Sequence, residues 1–170
     1  MTSPLANGSR WAVLGVTVFL LSASALVADQ ARAYALVNES PSLPRGLYLR
    51  QVGAEPGPGA VVALVQPPVA RFYLGALGMP AEVLLIKRVA AGPGEAVCRR
   101  GAVLHTPRRE VRVFDRDRRG TVLPAWRGCR RMGPGEVFLL GDTPASFDSR
   151  YFGPVAIADI ESVYREFFTW

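Results

Sequence analysis

Three times in this chain a Gly-Pro-Gly step runs directly into a strand-like segment: "PGPGAVV" from residue 56, "AGPGEAV" from residue 91 and "MGPGEVF" from residue 132. Proline holds φ near −65° and offers no N–H, while glycine accepts positive φ. Each step therefore reads as a type I or II turn that starts a strand. The wording around the turns differs, so they are repeated turn chemistry and not a repeat architecture. Between them, residues 46–52, 60–66, 82–90, 95–100, 110–114, 136–142 and 160–168 are rich in β-branched and aromatic residues. Residues 67–80 have room for one short helix. Residues 108–131 are charged and carry glycine, as expected of a long hairpin or loop. The fold class expected is predominantly β, with short helices.

One segment stands apart. Residues 11–28, "WAVLGVTVFLLSASALVA", hold no charge over 18 positions, the lower end of what spans a bilayer as a helix. Trp11 suits one interface, with Arg10 and the amino terminus on the cytoplasmic side. A cleaved signal is the alternative, because "ARA" at 31–33 has the A-x-A form, but the apolar run exceeds a usual signal core. The expected organisation is a tail and transmembrane anchor over 1–33 and an exported β domain over 34–170. The expected location is the bacterial inner membrane, single-pass, with the β domain periplasmic. The two cysteines, Cys98 and Cys129, both lie in the exported part, where one pair is a natural disulfide. The only histidine, His105, cannot complete a metal set with them, so neither metal nor cofactor is expected.

The net charge of +6 raises the question of nucleic acid. The basic residues occur as scattered pairs, without a helix-turn-helix pattern, zinc spacing or aromatic RNA-binding signature. A basic surface facing lipid headgroups is expected, and no nucleic-acid partner.

Within that charge lies an anomaly. Of 20 Lys plus Arg, a single residue, Lys87, is lysine. It follows four apolar residues, 83–86, in "VLLIKRVAAGPGE". Arginine stays protonated, whereas a buried lysine loses its proton readily and becomes a usable base. The plain alternative is a strand lysine whose head snorkels to water. Two stretches offer a hydroxyl for such a base. In "NESPSLPRGLYL", Ser42 is restricted by Pro41 and Pro44, a rigidity that suits an attacking oxygen, and Ser40 can aim into the same space. An ordinary Ser/Pro turn is the alternative there. In "GDTPASFDSRYFGPV", Ser146, Asp148 and Arg150 alternate, so in extended chain they share one face. A hydroxyl beside a paired Asp–Arg suits orienting an amine; a surface salt bridge of little worth is the alternative.

Taken in order, these segments resemble the signal peptidase I superfamily of serine–lysine peptidases (S26), and most closely its TraF-type conjugative transfer branch. The anchor, the Ser-x-Pro-x-Gly-Leu-Tyr box at 42–48, the Lys-Arg-Val box at 87–89 followed by "GPGE", and the terminal "GD…SFDSRYFGPV" box carry the likeness across nearly the whole chain. The resemblance implies a signal-peptidase-like β domain on a single transmembrane helix. It also implies Ser42 as nucleophile, Lys87 as general base, Ser40 in the oxyanion hole and Ser146 holding the lysine amine. Asp148 and Arg150 match a structural ion pair, with Arg88, Gly141 and Asp142 in supporting places. Housekeeping members have Ser-Met at the nucleophile where this chain has Ser42-Leu43-Pro44, a departure that favours the TraF branch over general secretion.

The function expected is a membrane-anchored serine endopeptidase that cleaves, and in some settings cyclises, an exported precursor of pilin type. A general signal peptidase is the alternative within the same chemistry, and a non-catalytic anchored scaffold of a secretion apparatus is the alternative outside it. A decayed scaffold has no need to keep its only lysine. Residues 29–42 reach at most about 45 Å when extended, so Ser42 is expected close to the bilayer. There a membrane-inserted precursor can add to the β domain as an extended strand.

Overall fold

The computed structural model describes residues 11, 13–20 and 33–170, and the chain divides into two compact units, Met1–Tyr34 and Ala35–Trp170. In the first unit, residues 11 and 13–20 are helical and exposed. Among the described residues no helix is long and apolar enough to cross a membrane. The remainder of the anchor expected over 11–28 lies outside the described residues.

The second unit is antiparallel β throughout. Its strands are β1 (Ala35–Asn38), β2 (Gly46–Arg50), β3 (Val61–Leu64), β4 (Leu85–Ala91), β5 (Ala96–Arg100), β6 (Val103–His105), β7 (Glu110–Arg112), β8 (Cys129–Arg131), β9 (Glu136–Leu140), β10 (Val155–Ala156) and β11 (Ile160–Thr169). Two α-helices accompany them, α1 (Pro68–Ala76) inside the stretch expected to hold one, and the single turn α2 (Ser149–Phe152), with a 3-10 turn at Ile157–Asp159. A seven-stranded sheet runs β1-β2-β11-β3-β4-β9-β10, and a four-stranded sheet runs β7-β6-β5-β8.

The Gly-Pro-Gly steps close as expected. Ala60, Glu95 and Glu136 each donate their N–H to the carbonyl three residues back, at 3.0, 3.1 and 3.1 Å. Gly59 and Gly94 have φ of +86° and +77°, the third position of a type II turn. Glu95 and Glu136 also accept from the N–H of Gly92 and Gly133 at 2.7 and 2.8 Å, which ties each turn to the strand it starts.

Strands β3 and β4 form the centre of the large sheet, and both their faces are covered. Val62, Leu64, Leu85 and Val89 enter one apolar cluster with α1, while Val61, Ala63 and Ile86 enter another with Leu43, Tyr48 and Tyr164. Side chains alternate along a strand, and Lys87 stands opposite Val62 in the ladder. Lys87 therefore shares the face of Leu85 and Val89, and Arg88 shares that of Ile86. A third cluster joins the small sheet to β9 through Val97, Leu104, Met132, Phe138 and Leu140.

The expected strands are all present, with ends shifted by a few residues. Four more appear: β1, β6, β8 and β10. They are two to four residues long, too short to show a period, and pairing alone defines them. Residues 108–131 are not one hairpin. They supply β7, an irregular loop with one bridge between Arg116 and Val122, and β8. Cys98 and Cys129 stand directly opposite each other in the β5–β8 ladder and form a disulfide.

Candidate active site

The loop between β1 and β2 is held from within by Asn38, the buried last residue of β1. Its Nδ2 donates to the carbonyls of Ser40, Leu43 and Pro44 at 3.1, 3.1 and 3.0 Å. Its Oδ1 accepts from the N–H of Ser40 at 3.1 Å and from Ser40 Oγ at 2.8 Å. Tyr48 adds a 2.6 Å hydrogen bond to the Pro44 carbonyl. With Pro41 and Pro44 restricting the backbone as well, Ser42 sits in a loop with few conformations left to it. Sequence reading overlooked Asn38. The available signal was an Asn two residues before a Ser-Pro step, the pattern of an Asx turn.

Ser42 is 6% exposed and Lys87 is 4% exposed. Lys87 Nζ donates to Ser42 Oγ at 3.1 Å and to the Ile86 carbonyl at 3.0 Å. Ser40 Oγ lies 2.7 Å from Ser42 Oγ on its other side. The Ser42 N–H has no acceptor among the described residues. Burial pushes the Lys87 ammonium down from its ordinary 10.5 to about 8; the charge of Asp148 raises it and that of Arg150 lowers it. The four apolar residues before Lys87, 83–86, line the same cavity as Lys87, although Val83 is exposed, and strand alternation and pairing add Val89 and Val62 to Leu85 on the lysine's face.

The segment 141–150 closes the site from a third direction. The Asp142 N–H donates to the Ser42 carbonyl at 2.6 Å, stitching it to the serine loop. Arg88 grips the Asp142 carboxylate with two nitrogens, at 3.2 and 3.0 Å, and reaches Glu166 at 2.7 Å. Gly141 is required sterically. A Cβ there would collide with the Ser146 side chain and lie 2.8 Å from the Ser42 carbonyl oxygen.

Ser146, Asp148 and Arg150 do not share an extended face. Asp148 is the N-cap of α2, accepting from the Arg150 N–H, and Arg150 lies within the helix. Their ion pair is no surface bridge either, since side-chain exposure is 1% for Arg150 and 0% for Asp148. Asp148 Oδ2 also accepts from the Gly141 N–H at 2.9 Å. Arg150 donates to the carbonyls of Arg112, Thr143, Pro144 and Ser146, so one guanidinium shapes the turn that carries Ser146. Ser146 Oγ is buried and has no hydrogen-bond partner; the bond to the Lys87 amine expected of it is not formed. Ser146 nevertheless lines the same cavity as Lys87 and Ser42.

That cavity, about 460 Å³, runs between β1 and the chain entering β4. Leu36, Val37, Leu84 and Ile86 give it apolar walls, and Ser40, Ser42 and Lys87 line it as well. Chemically, a lysine with a lowered pKa within reach of a constrained hydroxyl is a base beside a nucleophile.

Comparison with known proteins gives the chain a family. The family model for signal peptidase, peptidase S26, matches residues 9–170. The chain is 31% identical over 172 residues to a plasmid transfer protein TraF of Escherichia coli, covering 92% of this chain and 94% of that protein. It is 34% identical over 174 residues to the conjugal transfer protein TraF of Agrobacterium tumefaciens (strain 15955), covering 95% and 97%. A crystal structure of a signal peptidase I from Enterococcus faecalis V583 aligns with 65% of this chain and 97% of its own, at 25% identity and a TM-score of 0.41.

Proposed function

This chain belongs to the signal peptidase family, peptidase S26, and is a serine endopeptidase, and from that premise we propose that Ser42 and Lys87 are its catalytic dyad and an exported, pilin-like precursor its substrate. The observation that carries the dyad is the sole lysine, buried, with its amine 3.1 Å from Ser42 Oγ and a pKa lowered to about 8. Serine is a weak nucleophile and needs a base close by. A desolvated amine supplies one near neutral pH without histidine.

The precursor lies extended in the groove between β1 and residues 83–86, with the residues before the scissile bond against its apolar walls. Ser42 Oγ attacks the carbonyl carbon while its proton passes to neutral Lys87. The oxyanion is met by the Ser42 N–H and by Ser40 Oγ, whose hydroxyl turns away from Asn38 to do so. Collapse breaks the C–N bond, and Lys87 returns the proton to the departing amine. A water, or an amine of the product itself, then attacks the acyl carbon and delivers its proton to Lys87; the bond from that carbon to Ser42 Oγ breaks, and Lys87 returns the proton to Ser42. Water gives a linear product and the internal amine a cyclic one. Asp148 and Arg150 hold the turn behind the site, and Arg88, Gly141 and Asp142 hold the Ser42 carbonyl side. A pilin-like substrate is supported by the similarity to plasmid and conjugal transfer proteins, and membrane anchoring by residues 11–28 by the uncharged run in the sequence.

Lys87→Arg tests the dyad, because guanidinium keeps its proton at any working pH. Cleavage of a precursor peptide is expected to fall at least ~1,000-fold, matching Ser42→Ala, since members of one catalytic unit fail together. Retention of more than a tenth of the wild-type rate, in protein with unchanged circular dichroism and melting, would reject Lys87 as the base.

A further inference from the structure

Past Ser42, a second cavity of about 780 Å³ opens in the same unit. Pro41, Ala145 and Phe147 line both cavities, so the two adjoin beside the loop that carries Ser42. The second cavity is of a different character. Its floor is an aromatic stack, with Phe147 4.5 Å from the Tyr73 ring and 5.1 Å from that of Tyr151. Its rim is cationic, formed by Arg116, Arg118 and Arg119. Arg116 is spent on the Gly120 carbonyl, 2.7 Å away. The guanidinium groups of Arg118 and Arg119 have no hydrogen bond or ion pair among the described residues.

One carboxylate, that of Asp117, shares this rim, and it is already committed. Its Oδ1 caps the N–H groups of Arg119 and Thr121 at 2.8 Å each, and its Oδ2 accepts from Tyr73 Oη at 2.9 Å. Those bonds hold the 116–121 loop and one floor ring together and leave the arginine heads facing solvent. Three guanidinium groups against one carboxylate leave the lining net positive. Apolar floor and cationic rim together suit a peptide segment that carries aromatic or aliphatic side chains beside a carboxylate.

We propose that this cavity binds the segment of the precursor that follows the scissile bond, and that it selects carboxylate-bearing segments there. The proposal rests on Ser42 as the point of cleavage, but one of its two tests, a binding comparison, does not depend on turnover. Two substrates identical up to the scissile bond, one continuing Ala-Phe-Asp-Glu and the other Ala-Phe-Asn-Gln, are compared on the full-length protein in detergent. The acidic substrate is expected to have the higher kcat/KM by roughly threefold to tenfold, carried by KM, as a few exposed charge pairs provide. The preference is expected to disappear in Arg118→Gln/Arg119→Gln protein and to shrink with added salt. Equal kcat/KM for the two substrates, or a preference that survives the double substitution, would overturn the proposal. Binding of the acetylated, amidated, fluorescent forms of the two segments to Ser42→Ala protein supplies the separate readout. Tighter binding of the acidic form supports the proposal, and equal binding or none rejects it. Failure of wild-type protein to cleave either substrate counts against the dyad instead, and the binding comparison then decides this proposal alone.

Discussion

Lys87 and Arg150 are both buried cations in one β unit, and their surroundings differ in kind. Arg150 makes six side-chain hydrogen bonds, two of them to a carboxylate that is itself fully buried. Lys87 has two neutral acceptors and no carboxylate bonded to it. The first arrangement repays the desolvation of its charge and fixes a turn; the second leaves the charge poorly compensated and the proton easily lost. The pair also screens the lysine. Asp148 and Arg150 shift the Lys87 pKa in opposite directions, so burial is left to dominate. A saturated cluster supports, and an unsaturated one reacts.

Removing one partner of the saturated pair gives the largest expected loss of stability. Arg150→Met leaves Asp148 buried without its cation and frees four carbonyls, at a cost of about 3–5 kcal/mol. Chemical denaturation checks this, and a loss under about 1 kcal/mol would mean that the pair is no different from a surface bridge. Where the variant folds, the acid limb of its activity moves to higher pH, because Asp148 then raises the Lys87 pKa unopposed.

Lys87→Met has the opposite sign. With a folded pKa near 8 and an ordinary value of 10.5, the unfolded chain binds more protons between those limits, so wild-type stability rises with pH across that window. Below about pH 8 the burial penalty is present in full, on the order of 3 kcal/mol. Lys87→Met is therefore expected to be more stable than wild type at pH 7, inactive, and free of the slope between pH 8 and 10.5. Denaturation midpoints across that range check it; a variant less stable than wild type at pH 7 would count against an unfavourable buried ammonium. Wild-type kcat/KM is expected to rise with pH through about 8 for the same reason.

Asn38→Ala probes the loop that presents the nucleophile. Losing the amide strands three carbonyls at a cost of about 1–3 kcal/mol. Turnover is expected to fall further than stability, because Ser40 and Ser42 lose their alignment. Equal melting and kcat in variant and wild type would show that the prolines suffice.

Ser146→Ala is the smallest change. The hydroxyl is buried and unpartnered, so its removal is expected to be neutral or slightly stabilising, within about 1 kcal/mol. Its effect on kcat sharpens the comparison between the clusters. A tenfold or greater loss would place Ser146 on the lysine amine during turnover, and an unchanged kcat would leave Lys87 to Ser42 and Ile86.

Much of this was readable from the chain alone because local rules sufficed. The Gly-Pro-Gly turns follow from one residue type with a fixed φ and one that accepts positive φ, and the seven expected strands follow from composition between them. The lone lysine and the two serine-bearing boxes marked the candidate site, since a single lysine among arginines is a chemical choice visible without coordinates.

What the chain could not settle by itself was anything that depends on pairing at a distance. Strand β1 is a strand only because β2 accepts it, and Asn38 becomes a clamp only when the loop folds back on its amide. Sequence spacing placed Ser146, Asp148 and Arg150 on one face, but the N-cap at Asp148 turned them into a buried ion pair and an isolated hydroxyl. Residues 83–86 line the lysine's cavity as their place in the chain suggests, but Val89 and Val62 join Leu85 beside Lys87 because a strand's alternation, and a partner strand's register, decide which side chains meet. Chemical identity is local and is written in the residues; desolvation and hydrogen-bond partners are properties of the packed interior, and only the tertiary structure supplies them.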